Sequence, residues 1–238
     1  MCLIVFAWKL IPQCPLVLAA NRDEFFSRPA QSADWWQDQP NVFAGRDLEG
    51  GGTWLGINRQ GRFAALTNIR NGYEPAREKS SRGELVANFL SQDIAAQDYV
   101  EHVRSVGTQY NGFNLIVGDD SAMYWVSNGG EGESQAISPG IYGLSNGALD
   151  TPWPKVVRAK AQFASLLCQG APDDAYFEML SDTTRAADSR LPDTGVSLEL
   201  ERMLSPICIE SEHYGTRASS IVRIHAGGQA ELNERVIR

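Results

Sequence analysis

Histidine is scarce, with three in 238 residues, and the four cysteines, Cys2, Cys14, Cys168 and Cys208, form no CxxC pair. No zinc-ligand spacing is therefore available, and a disulfide scaffold is excluded at this size and density. Cys14, Cys168 and Cys208 read as buried small hydrophobes. Basic residues are in deficit, 21 against 29 acidic ones, for a net charge of −8. A nucleic-acid binder normally shows a basic stripe, so that class is set aside, while the excess charge favours solubility. A long uninterrupted apolar run is also lacking. Residues 1–20 are mostly apolar, but Lys9 sits in the middle and Pro12 and Pro15 break the run. It is too short to span a bilayer, and no basic region precedes it as in a secretory signal. The expectation is a cytoplasmic chain without stable membrane insertion.

What is present suits a packed core. Hydrophobic residues make up 43%, enough for one domain over residues 1–238. Two apolar strands, Cys2–Leu10 and Leu16–Asn21, are joined by a turn near Pro12. A polar, aromatic loop is expected from Phe25 to Asp47. Gly50-Gly51-Gly52 has the composition of a phosphate loop, yet no GK[ST] follows and a strand comes next. A hairpin follows, Thr53–Asn58 with Phe63–Asn68. Two amphipathic helices are expected around Leu85–Leu90 and Tyr99–Val106. Strands return at Phe113–Gly118, Met123–Ser127 and Ile141–Ser145. Helices follow from Pro154, a residue tolerated in a first turn, and over Asp173–Leu180. A long loop, Ser181–Val196, leads to strands at Ile207–Glu210, Thr216–His225 and Gln229–Arg235. Runs of strands alternating with runs of helices argue for antiparallel sheets with segregated helices, an α+β chain layered α/β/β/α.

Two features carry chemistry. Cys2 lies directly behind Met1. Removal of Met1 would place an α-amine, basic near neutral pH, on the same residue as a nucleophilic thiol. The alternative is an ordinary first-strand cysteine. The second feature is Asn21-Arg22-Asp23-Glu24, expected to close the second strand. In a strand, Asn21 and Asp23 share one face and Arg22 takes the other. Asp23 is placed to accept from an α-amine and Arg22 to lower a thiolate pKa, unless the segment is simply a solvated strand end.

LAANRDEFFSRP (18–29), GRDLEGGGTWLGINRQGRFAALTNIR (45–70), SRGELVANFL (81–90), YNGFNLIVGD (110–119), YGLSNGALDTPWPKV (142–156) and YGTRASSIV (214–222) together resemble the NRDE family, also called the transport and Golgi organisation protein 2 family. That family in turn resembles N-terminal-nucleophile hydrolases of the choloylglycine hydrolase and penicillin V acylase branch. The resemblance implies Cys2 as nucleophile, with Asp23, Arg22, Asn68 and an oxyanion-hole Asn146 around it. Where that branch sets its arginine and aspartate three positions apart, Arg22 here directly precedes Asp23. A C-terminal arginine of the branch finds its counterpart in Arg217.

Two functions follow as expectations. One is an intracellular haem-trafficking or acyl-CoA and lipid-handling protein. It would hold an amphipathic small-molecule ligand near Cys2, Asn21, Glu24, Arg217 and Trp54, within an apolar lining that includes Phe25, Phe26, Trp35 and Trp36. The alternative is Cys2-dependent hydrolysis of an amide or thioester through an acyl-cysteine. No cofactor is required for catalysis. Haem would be a bound ligand, with His102, His213, His225 and Cys14 as the axial possibilities. A membrane-organising scaffold lacks the basic amphipathic helix or lipidation signal it would need.

Overall fold

The computed structural model describes residues 2–72, 76, 78–129 and 133–238. Strand β1 (Cys2–Trp8) is apolar throughout and buried throughout, because it has sheet neighbours on both sides and a packed layer on each face. It pairs antiparallel with β2 (Leu16–Phe25) and with β10 (Gly140–Leu144). With β11 (Tyr214–Ile224) and β12 (Ala230–Val236) these form a five-stranded sheet ordered β10-β1-β2-β11-β12. A seven-stranded sheet runs in chain order through β3 (Ala30–Trp35), β4 (Val42–Asp47), β5 (Leu55–Asn58), β6 (Phe63–Asn68), β7 (Phe113–Gly118), β8 (Met123–Ser127) and β9 (Glu133–Ala136).

The two-residue side-chain period sorts β1 and β2 between two cores. Ile4, Phe6, Trp8, Leu16, Leu18 and Ala20 fill the space between the sheets. Leu3, Val5, Ala7, Val17 and Ala19 face outward, against α3 (Pro154–Cys168) and α4 (Asp173–Leu180). A third core lies between the seven-stranded sheet and helices α1 (Gly83–Ser91) and α2 (Ala96–Val106). The layers are therefore α/β/β/α. The two sheets lock together at their turns: a Cβ on Gly61 (φ +76°) would lie 2.0 Å from the Gly228 carbonyl oxygen, so this turn accepts only glycine.

Several sequence expectations are corrected. Strand β1 stops at Trp8 and β2 continues four residues past Asn21, because Asn21–Phe25 pairs with both neighbouring chain segments it meets: Asn21 and Arg22 with β1, and all five with β11. The expected loop at 25–47 holds β3 and β4. Strand β9 and helix α5 (Leu198–Met203) were not expected, and Ile207–Glu210 forms no strand. Cys168 is exposed at the end of α3, whereas Cys14 and Cys208 are buried. Among the described residues no helix is long and apolar enough to cross a membrane.

Candidate functional site

A cleft of about 830 Å³ opens where the two sheets part, at the Cys2 end of β1. The register fixes its inner wall. Cys2 lies directly across from Arg22, so both side chains project from the same face, the face that Ile4 and Ala20 turn toward the other sheet. Opposite β2, the pairing slips between Thr216 and Ala218, leaving Arg217 as the extra residue of a β-bulge. The bulge lets Arg217 and Ala218 both line the cleft, while Thr216 stays on the helix side. The Arg217 guanidinium donates to the carbonyls of Phe25 (3.3 Å) and Arg28.

Asp23 is 1% exposed and sits at the inner end of the cleft. It accepts from the Thr216 hydroxyl at 2.7 Å, and its carbonyl accepts from Tyr214 at 3.1 Å. Burial pushes its carboxyl up, against the opposing pull of the Lys155 charge. Burial also pushes the Cys2 thiol up, and the Asp23 charge adds to this, whereas the chain's α-amine, the Asp23 backbone N–H and Arg22 oppose it. Behind this wall, Lys155 in the first turn of α3 is 3% exposed. Its Nζ finds no hydrogen-bond partner among the described residues, and burial lowers its pKa to about 8. Nearby, Arg70 and Glu201 form a buried ion pair at 2.7 Å.

The cleft contrasts electrically with the rest of the chain. Among the described residues, seven basic side chains line it against five acidic ones, in a molecule of net charge −8. Arg28 is occupied by Asp47 and Glu49 at 2.7 and 2.8 Å, and Arg46 by Asp38 at 2.6 Å. Arg22 is held more loosely, 4.0 Å from Asp47. Among the described residues Arg82 donates one bond, to the Gly112 carbonyl at 3.1 Å. Burial lowers its pKa, with the Glu24 and Cys2 charges opposing. Trp54, Leu66, Leu200, Met203 and Leu204 supply apolar surface.

Of the site residues expected from sequence, Cys2, Arg22, Asp23, Glu24, Asn68, Trp54 and Arg217 share this cleft. Asn21 and Asn146 do not line it. Asn21 faces the helices, donating to the carbonyls of Leu180 (2.8 Å) and Ile207 (2.9 Å) and accepting from Ser219 (2.6 Å). Asn146 is fully buried, and its amide is turned to the Asn68 carbonyl at 2.8 Å. Beside it, Ser145 ties the loop to the Cys2 carbonyl at 3.0 Å.

Of the expected aromatic lining, Phe25 and Trp54 reach the cleft. Trp36 is buried under α1, Trp35 stacks beneath Arg59 on the surface, and Phe26 lies beneath Arg238. His102, His213, His225 and Cys14 all lie outside the cleft lining. Among the described residues no three His, Cys, Asp or Glu side chains group as metal ligands. Sequence reasoning missed Arg82, Tyr214, Thr216 and Lys155. Arg82 and Lys155 carried a signal: a cation at the start of a helix opposes the macrodipole and needs a reason to be there.

Comparison with known proteins agrees with this architecture. A mutant conjugated bile acid hydrolase from Clostridium perfringens superposes with a TM-score of 0.56 at 9% identity, over 100% of this chain and 92% of that one. The Caenorhabditis elegans ortholog of N-acylethanolamine-hydrolyzing acid amidase gives 0.55 at 9% identity, over 92% and 91%. The fold is thus that of the N-terminal-nucleophile hydrolases. By sequence, the chain is 38% identical to the Bos taurus transport and Golgi organization protein 2 homolog, over 99% of this chain and 92% of that protein. The family model described as "Transport and Golgi organisation 2" matches residues 1–238, and the chain belongs to that family.

Proposed function

We propose that the chain binds an amphipathic, anionic small molecule of the acyl-CoA class in the cleft beside Cys2. The observation that carries this reading is the concentration of arginines in the cleft of an acidic chain, with Arg22 and Arg82 incompletely satisfied by partners among the described residues. A guanidinium fork matches a phosphate or carboxylate bidentately, and a basic recess in an acidic molecule focuses its field on an incoming anion. The apolar surface from Trp54, Leu66 and Met203 suits an acyl chain, since ligand sites combine an apolar lining with few placed charges. Haem shares this amphipathic, anionic chemistry. The histidines available as axial ligands stand away from the cleft, which favours the acyl-CoA class.

A second reading is Cys2-dependent cleavage of an amide or thioester. It is supported by the place of Cys2 at the inner end of the cleft and by the likeness to a hydrolase and an amidase fold. Against it stand the raised Cys2 thiol and the Asn146 amide turned to Asn68 rather than to the cleft. Calorimetric titration of palmitoyl-CoA and of haem into the wild type and Cys2→Ala separates the readings, with free CoA thiol assayed in parallel. Binding of palmitoyl-CoA that survives Cys2→Ala within about threefold, without thiol release, supports the binding protein. Thiol release by the wild type that disappears in Cys2→Ala makes it a hydrolase.

A further inference from the structure

A buried amine with no partner is costly in any fold. Lys155 is such a group: 3% exposed, with Nζ sealed from solvent and unbonded among the described residues. Its position is set by α3, which packs over β10 and β1. Val156 and Lys160 close over Gly143, whose Cβ position would touch both. Gly143 is the partner of Val5, midway along β1. At the start of α3, Trp153 stacks under Arg70 at 4.5 Å, the Arg70 backbone N–H donates to the Asn146 carbonyl at 2.8 Å, and the adjoining Ser145 donates to the Cys2 carbonyl at 3.0 Å. These links bring the first turn of α3 to the Cys2 end of the sheet.

The charged groups facing Lys155 come from four directions: Asp23 on β2, Cys2 on β1, Arg70 beyond β6 and Glu201 on α5. Arg70 and Glu201 are paired to each other at 2.7 Å. Lys155 is therefore left to act on Asp23 and, with it, on Cys2. Cys2 is faced from its own strand end by the chain's α-amine and from β2 by Arg22 and Asp23. Among the described residues it does not line the cleft, so no ligand there reaches it directly.

We propose that Lys155 is a positioning residue for Cys2: from behind the cleft wall its amine, set against the Asp23 carboxylate, determines how readily the Cys2 thiol ionises toward electrophiles entering the cleft. The two charges work in opposite senses. A cationic Lys155 favours the thiolate and an ionised Asp23 disfavours it. The inference goes beyond ligand binding and does not depend on it.

The test is the rate of Cys2 alkylation by iodoacetamide without ligand, resolved by peptide mass spectrometry across pH 6–10. In this reaction the thiolate sulfur displaces iodide from the probe's methylene carbon, its proton having already gone to solvent. Exposed Cys168 on the same chain is the internal control. Lys155→Met should slow Cys2 about tenfold at pH 7, the effect of about one pKa unit, and leave Cys168 unchanged. Lys155→Arg should restore most of the rate, and Asp23→Asn should raise it. A wild-type Cys2 profile in folded Lys155→Met overturns the proposal.

The pH profile gives a further check. The chain's α-amine, basic near pH 8, also acts on Cys2, so the Lys155 share is read by difference. Discharge of Lys155 near its pKa of about 8 should stretch the wild-type Cys2 profile more than that of Lys155→Met, while Cys168 follows a single-proton curve. Cys2 profiles of equal width in the two proteins also overturn the proposal.

Discussion

Asn21 and Arg22 are adjacent in sequence and serve opposite sides of one sheet. That division was readable from the strand period alone, which sets Asn21 with Asp23 and apart from Arg22. What lies on each side was not readable, because the partners come from Leu180, Ile207 and Ser219, more than 150 residues away. Asn21 is a structural clamp rather than a ligand contact. Asn21→Leu should destabilise the chain by about 2–4 kcal/mol in urea unfolding, since it strands two buried carbonyls and a hydroxyl. A loss under half a kilocalorie would refute the clamp.

Lys155 makes the converse prediction. Its pKa falls from 10.5 to about 8 on folding. The folded state therefore bears the full penalty of the charge below pH 8, part of it between pH 8 and 10.5, and none above. Lys155→Met, close in volume, should raise stability by up to about 3 kcal/mol at pH 7. The gain should shrink toward pH 10, as denaturant melts at the two pH values will show. A residue retained at such a cost is consistent with a role at the Cys2 site.

At the scale of elements, legibility followed burial. Phe63–Asn68, Phe113–Gly118, Met123–Ser127 and Asp173–Leu180 stood out in the sequence as apolar or amphipathic runs between turn signals. Strands β3 and β9 did not, because edge strands facing solvent carry polar residues: Ala30–Trp35 and Glu133–Ala136 are largely exposed. The bulge that re-aims Arg217 has no signature in YGTRAS.

The triple glycine looked like a possible phosphate cradle and turns out to be a packing point. A Cβ on Gly52 would lie 2.4 Å from the Gly83 carbonyl carbon, at the start of α1. Gly52→Ala must push α1 away from the cleft wall formed by Thr53, Arg82 and Gly83. The expected cost is about 1–3 kcal/mol of stability, together with weaker ligand binding. Unchanged thermal stability would show that the contact yields freely.

At the scale of the whole molecule, the layering followed from the order of strands and helices, and the resemblance covered the chain from end to end. The cleft's electrostatics did not follow. Net charge averages over the surface, and only folding gathers arginines from β2, β4, β11, the turn before α1 and the chain end into one recess. That recess carries the functional account, and the most direct test is palmitoyl-CoA affinity in wild type, Arg22→Gln, Arg82→Gln and the double variant, at 50 and 300 mM salt. The account predicts about a tenfold loss for each single variant, the cost of one charge-assisted contact. It also predicts a larger loss for the pair and a wild-type affinity that falls with salt while the double variant's barely moves. Wild-type affinity in the double variant, or affinity indifferent to salt, would contradict it.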